Sequence, residues 1–259
     1  MTALSRITPA TPKRGTLLGA VLAQTRVEII LTLRRGDNVL VTLILPVLLL
    51  VAFASLNIVP SGQSAIGFLL PGILALAVIS TGMVSLGIAT AYERHYGVLK
   101  RLGGTPLPRA GLIAAKTISV LLIEVVQVIL LAVIGIVAYG WRPGAGALPA
   151  VGVLLLGTLA FTGIGLAMAG RLRAEATLAG ANGLYLVFLL VGDIVVPLSH
   201  LPGPLRAVAH ILPPTALSEA LRRLIGSGGG GWSLGWNLLL LATWAVLALA
   251  TAARTFRWE

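Results

Sequence analysis

The chain has 259 residues, of which 57% are hydrophobic and only 10% charged, and its mean hydropathy is +0.99, whereas soluble domains carry about 25% charged residues. It has no cysteine, which excludes disulfides, thiolate metal sites and cysteine nucleophiles. The net charge of +11 does not mark a nucleic-acid surface, because the basic residues fall in short clusters between apolar runs, the signature of membrane topology.

Residues 1–15 are polar, with Pro9, Pro12, Lys13 and Arg14, and are expected to be a disordered cytosolic tail. Met1 to Thr11 has neither an apolar core nor a small-residue cleavage site, so no signal peptide is expected. The remainder, 16–259, reads as one transmembrane domain. From Thr16 to Arg35 an amphipathic helix is expected, with Leu18, Val21, Leu22, Ile29 and Leu33 on one stripe and Gln24, Glu28 and Arg35 on another. It carries too many charges to cross and is expected to lie in the membrane interface.

Six apolar segments follow, at about 39–59, 67–92, 113–139, 147–170, 179–198 and 234–253, each near or above the ~20 residues that a ~30 Å hydrocarbon core requires. The expected fold is therefore all-α and polytopic with six transmembrane helices. Pro46 and Pro71 fall inside the first two and are expected to kink them.

Spans two and three are joined by a charged stretch, Glu93 to Arg109. Val98, Leu99 and Leu102 share one side of a short helix, while Arg94, Lys100 and Arg101 point elsewhere. Gly103 and Gly104 stop it, and Pro106 and Pro108 stiffen the exit. Between spans five and six, Pro197, Pro202, Pro204, Pro213 and Pro214 break the chain into pieces. Two short apolar-faced helices there, around 205–212 and 216–225, suit a re-entrant hairpin dipping into the outer leaflet.

Orientation follows from the basic residues. Fifteen of the 19 Lys and Arg fall on one side, from Arg6 through Arg34, Arg94, Arg109 and Arg171 to Arg257. The other side holds Arg142, Arg206, Arg222 and Arg223. This split places both termini and the 93–109 stretch in the cytoplasm.

Candidate chemistry is sparse. A P-loop needs Gly, four residues, then Gly-Lys-Ser/Thr; the nearest approach, Gly111 to Thr117, has Ala115 in the required glycine position. No nucleotide site is expected, and His95, His200 and His210 have no metal-ligand spacing. Polar groups at membrane depth are costly and often functional. Glu124 lies well inside span three, with Gln127 following at i+3. It reads either as the lining of a polar path or proton relay, or as a structural hydrogen-bond partner of Asn182 or a neighbouring helix. Phe161 and Tyr185 read either as path lining or as packing, and Asp193 as an interface anchor. Small residues Gly163, Gly165, Gly170, Gly180 and Gly183 permit close helix approach, for internal packing or for a seam with a second copy.

The stretch Glu93, Arg94, Gly97, Leu99, Lys100, Arg101, Leu102, Thr105, Pro106, Leu107, Arg109 and the later Lys116 resembles the segment between spans two and three of type-2 ABC exporter permeases, the family that includes drug-resistance exporters. Leu201, Pro202, Leu205, Ala209, Leu212, Pro213, Ala220 and Leu221 are similar to the re-entrant pair of that family. The resemblance implies that 93–102, with Lys100 among its residues, is a coupling helix docking on a separate ATPase subunit, with Glu93, Arg94 and Arg101 making polar contacts and Val98, Leu99 and Leu102 packing into its groove or against the permease. It further implies no cofactor in this chain, ATP and Mg on the partner, a second permease copy, contact with membrane lipid and residence in the bacterial inner membrane. The tentative substrate path is Glu124, Gln127, Phe161, Asn182 and Tyr185. Two other classes fit the same residues: an ion- or proton-coupled carrier using Glu124, and a membrane anchor that only recruits a partner.

Overall fold

The structure is a computed structural model that describes residues 16–34, 36–56, 64–105, 107–226, 228 and 231–255; the expected tail at 1–15 lies outside the described residues. The described residues are all-α. Helix α1 (Leu17–Arg34) leads into α2 (Gly36–Ser55), and α2, at 20 residues, is about 30 Å long, enough to cross a bilayer. Five further helices are long and apolar enough to span: Ala65–His95, Arg109–Tyr139, Ala147–Arg171, Ala174–Val191 and Leu234–Thr255. This is a multi-pass membrane protein.

The helix Ala65–His95 is the centre of the bundle. In its most apolar stretch 83% of residues are buried, against 28% for Arg109–Tyr139, so the first is wrapped by the rest of the chain and the second turns most of its surface outward. It comprises α3 (Ala65–Val78), a π-helical segment (Ile79–Ser85) and α4 (Leu86–His95). The helix runs through Pro71 and widens only at the π segment, where Thr81 Oγ1 contacts both Ala77 O (3.0 Å) and Gln127 Oε1 (2.8 Å). A polar side chain bonded into the turn is a recognised cause of such a bulge. Pro71 leaves the Gly67 carbonyl without its helical donor. A Cβ on Gly226 would lie 2.3 Å from that oxygen, so the chain after α10 approaches the helix at the place the proline opens.

Two expectations about boundaries change. The stretch 93–102 is not one helix: α4 ends at His95, Gly97 sits at φ 71°, and a separate α5 covers Val98–Gly103. The left-handed glycine breaks the helix and turns it. Span five is α8, Ala174–Val191, and not 179–198. It starts directly after the Arg173 cap and stops at Gly192, where Asp193 adopts φ 55°. Ile194 and Val195, read as the end of the span, are instead buried non-helical residues in the core.

The remaining helices are α6 (Arg109–Tyr139), α7 (Ala147–Arg171), α9 (Gly203–His210), α10 (Pro213–Ile225) and α11 (Leu234–Thr255). The short pair α9–α10 is asymmetric. On α9 the one buried residue is Ala209, whereas α10 is buried from Pro213 to Arg222, inserted against α3, α7 and α11. Glycine makes this insertion and the α7–α11 contact close enough. A Cβ on Gly157 would meet the Leu217 side chain at 2.8 Å, and one on Gly163 would meet Ala248 Cβ and Leu249 N, both at 2.8 Å. Gly87 faces Gly165, where a Cβ would reach Gly165 Cα at 3.1 Å. Of the small-residue series, Gly163, Gly165 and Gly170 therefore serve internal packing, while Gly183 faces open space.

Replacing Gly163 by Val wedges α7 from α11 and should lower stability by about 1–3 kcal/mol, the range for overpacking. The checking measurement is the thermal unfolding of the detergent-solubilised protein. Gly152→Ala, with nothing within 4 Å of the added Cβ, should hold or raise the midpoint, since alanine is the better helix former.

Candidate functional site

Apolar helices with few charges leave little choice about where those charges go: a buried ion must be paired. Lys116, two turns into α6, is fully buried. Its Nζ lies 2.9 Å from Glu28 Oε1 on α1 and 2.7 Å from Glu93 Oε2 at the end of α4. Gln24 Nε2 donates to Glu28 Oε1 at 2.8 Å, and both carboxylates are nearly buried. One ammonium thus joins the entry helix α1, span three and the last turn before α5.

This pairing orients α1. Its buried residues are Thr25 and Glu28, while Leu18, Leu22, Val27, Ile30 and Leu33 are exposed. The polar face looks into the protein and the apolar face outward, as suits a helix lying in lipid at the interface.

The pairing also places the candidate coupling residues. Glu93 is turned inward onto Lys116 and is not presented at the surface. Arg94 donates through Nη2 to Leu172 O, at the end of α7. Leu99 is 1% exposed and packs with Leu86, Leu107, Leu112 and Leu166, with Leu102 and Val21 against the same cluster. What remains outward from this stretch is His95 and Tyr96, Lys100 and Arg101, and the edge of Val98.

Beside Glu93 opens a cavity of about 630 Å³. Its walls are Thr42 and Leu45 of α2, Ser80 to Tyr92 of the central helix, Tyr96 and Val98 at the approach to α5, and Leu178, Asn182 and Tyr185 of α8. It is mostly apolar with a few hydroxyls, the make-up of a site for amphipathic ligands. Buried Tyr185 OH has no hydrogen-bond partner among the described residues.

Of the tentative path residues, Asn182 and Tyr185 therefore share one cavity with Glu93. Glu124, Gln127 and Phe161 are not among its walls. Glu124 accepts a hydrogen bond from Thr158 Oγ1 of α7, not from Asn182, whose Nδ2 donates to Leu178 O at 2.9 Å. Gln127 donates to Thr42 O at 2.9 Å and accepts from Thr81, so it fastens α6 to α2 and the π segment. Phe161 is wholly buried and packs edge-on to Phe188, with ring centroids 6.2 Å apart.

At the opposite end of the bundle lies a constellation that residue counting did not find. Arg222 of α10 pairs through Nη1 with Asp193 Oδ2, donates through Nη2 to Asp193 O (2.6 Å), and lies 3.8 Å over the Phe68 ring. Asp193 is thus a buried partner instead of an exposed interface anchor, and Arg222 is spent inside the protein. Nearby, Glu219 Oε2 accepts from Asn237 Nδ2 at 3.1 Å. Burial pushes the Glu219 carboxyl above its usual range, and the Asn237 bond offsets part of that. The available signal in sequence was an isolated acid and an isolated base flanking a proline-rich break.

A helical multi-pass membrane protein, with a buried ion triad at its basic end and an apolar cavity beside it, is the class that fold and site define. The chain belongs to the ABC-2 type transporter family, whose model matches residues 20–225. It is 25% identical over 219 residues to YvfS of Bacillus subtilis (strain 168), a protein named as a transport permease; the match covers 83% of this chain and 88% of that one. It is 23% identical over 184 residues to YbhS of Escherichia coli (strain K12), named as a multidrug ABC transporter permease, covering 70% of this chain and 48% of YbhS. The chain thus matches about half the length of that second relative.

Removing the Lys116 charge strands two buried carboxylates, which costs about 3–5 kcal/mol. Lys116→Met should therefore lower the thermal midpoint sharply. The triple variant Lys116→Met, Glu28→Gln, Glu93→Gln should recover most of the loss, a coupling that a double-mutant cycle on the same melting curves measures.

Proposed function

We infer that this chain is the transmembrane subunit of an ATP-driven exporter that moves an amphipathic small molecule, drug or lipid-like substrate out of the cytoplasm. The observation that carries the reading is continuity: Tyr92, Glu93, Tyr96 and Val98 wall the cavity, and the same residues lead into α5, whose Lys100 and Arg101 project freely. A partner pressing on α5 moves a wall of the cavity. Glu93 and Lys116 make that motion stiff, since displacing either separates a buried ion pair.

In this mechanism a separate ATPase subunit, holding ATP and Mg, docks on Val98–Gly103 and reads Lys100 and Arg101 by charge. Docking strain passes through Leu99 to the basic-end core and through Glu93 to Lys116, α1 and α6. The cavity is partly open to the surroundings of the chain, which suits enclosure by a second permease copy. The basic end faces the cytoplasm, following the distribution of Lys and Arg, and the membrane is the bacterial inner membrane. The name of YbhS as a multidrug permease supports an amphipathic cargo. Glu93 serves here as a positioning residue within the permease, and the contacts to the ATPase fall to Lys100, Arg101 and Val98.

The test is co-purification of the tagged protein from its native membranes, followed by an ATPase assay of the complex. Lys100→Glu with Arg101→Glu should reduce substrate-stimulated hydrolysis about tenfold or more, as a reversed interface charge costs upward of ~1.4 kcal/mol, with the permease melting curve unchanged. Retained coupling in that variant overturns the docking site. Glu124→Gln separates the carrier reading: transport should persist at near wild-type rate when ATP supplies the drive, and should vanish if Glu124 carries a coupling proton.

A further inference from the structure

A second groove runs on the outer surface of the bundle, between α7 and α11. It has a volume of about 350 Å³ and is almost wholly apolar, with Ile164 and Met168 on one side and Trp244, Leu247 and Ala248 on the other. Arg171 closes one end of it. The two helices run side by side to that end: Gly163 abuts Ala248 and Leu249, and Gly170 abuts Thr255. Arg254, in the last turn of α11, therefore stands at the level of Arg171, and Arg173 follows immediately. All three arginines are exposed, and none has an ion-pair partner among the described residues. Among the described residues, the one acidic residue beside them in sequence is Glu175.

The dimensions fit a membrane lipid. Ile164 to Arg171 covers about 10 Å of helix, and Trp244 to Arg254 about 15 Å, the depth of one leaflet of a ~30 Å core. An apolar furrow one leaflet deep, capped by unpaired guanidinium groups at the basic end, offers a slot for an acyl chain and a site for a phosphate. A guanidinium binds phosphate by charge and by paired N–H donors, and basic pockets between transmembrane helices are known headgroup sites. A zwitterionic lipid has the same chains but brings its own cation to the arginines. Charge complementarity therefore selects an anionic headgroup.

We propose that the α7–α11 groove is a binding site for one anionic phospholipid, its acyl chain along Met168, Trp244 and Leu247 and its phosphate on Arg171 and Arg254. The site is on the lipid-facing side of the bundle, distinct from the cavity between α2, α4 and α8, and it does not depend on the export reading.

The experiment is native mass spectrometry of the full chain, delipidated in detergent and titrated with equal concentrations of phosphatidylglycerol and phosphatidylcholine of identical acyl chains. The expected result is one retained phosphatidylglycerol per chain in clear preference to phosphatidylcholine. Arg171→Gln and Arg254→Gln should each reduce the preference about fivefold, and both are exposed substitutions that leave the fold intact. Arg26→Gln, an exposed cation on α1 away from the groove, should leave it unchanged. Leu247→Trp, which fills the furrow, should lower retention of both lipids, and inorganic phosphate at the same concentration should not compete. Equal binding of the two lipids, or an equal effect of Arg26→Gln, overturns the site. Because the chain has no cysteine, Leu247→Cys gives a clean further check: disulfide-linked dimers through that position identify the groove as a seam between copies and also overturn it.

Discussion

The arrangement of this protein depends on one buried ammonium ion. Lys116 cannot remain charged in the interior of a helical bundle without acidic partners, and the two it has come from α1 and the end of α4. Satisfying that single charge brings together the interfacial helix, the third span and the turn into α5. The pairing also explains why α1 turns its polar face to the protein and its leucines outward. It explains equally why Glu93, three residues before Tyr96 at the break, is withdrawn from the surface while Lys100 and Arg101 remain on it.

A second charged contact closes the other end. Arg222 on α10 and Asp193 after α8 hold the inserted short helix against Phe68 of the central helix, and Ser218 Oγ adds a hydrogen bond to Gly192 O at 2.9 Å. Between the two ion pairs the bundle is fastened by Gln127, which reaches both Thr42 on α2 and Thr81 in the π segment. The central helix is thus pinned at both ends and at its middle. Its π segment contains Gly82, where a Cβ would meet Thr162 at 3.2 Å, so the widened part of the helix packs closely against α7. The wall of the main cavity and the base of α5 are the same few residues.

Glycine and alanine complement the ion pairs. In lipid, helices gain little from burying apolar side chains against each other, since the surroundings are equally apolar. Close approach at Gly163, Gly165 and Gly157 supplies dispersion contact instead. The same economy leaves a furrow on the α7–α11 surface where the two backbones nearly touch but the flanking side chains stand apart.

Much of this was legible in the order of residues. Long apolar runs cannot be soluble, so the spans, the interfacial helix, the broken 197–214 segment and the charged 93–109 stretch all follow from hydropathy and from proline and glycine. The family was legible as well, through the Leu99 to Arg109 pattern and the Leu201 to Pro213 pattern. Hydropathy could not place the end of span five, because Ile194 and Val195 are apolar in a helix or out of one; Gly192, the turned Asp193 and the contacts of α10 set the stop. Nor could it show the partners of Glu28, Glu93, Lys116, Asp193 and Arg222. Charges separated by 23 to 88 positions meet only after the helices have packed. The sequence by itself determined which segments enter the membrane, since transfer from water depends on local composition alone. Tertiary structure decided which polar groups meet inside and which remain free at the surface, since pairing depends on distances that exist only in the folded bundle.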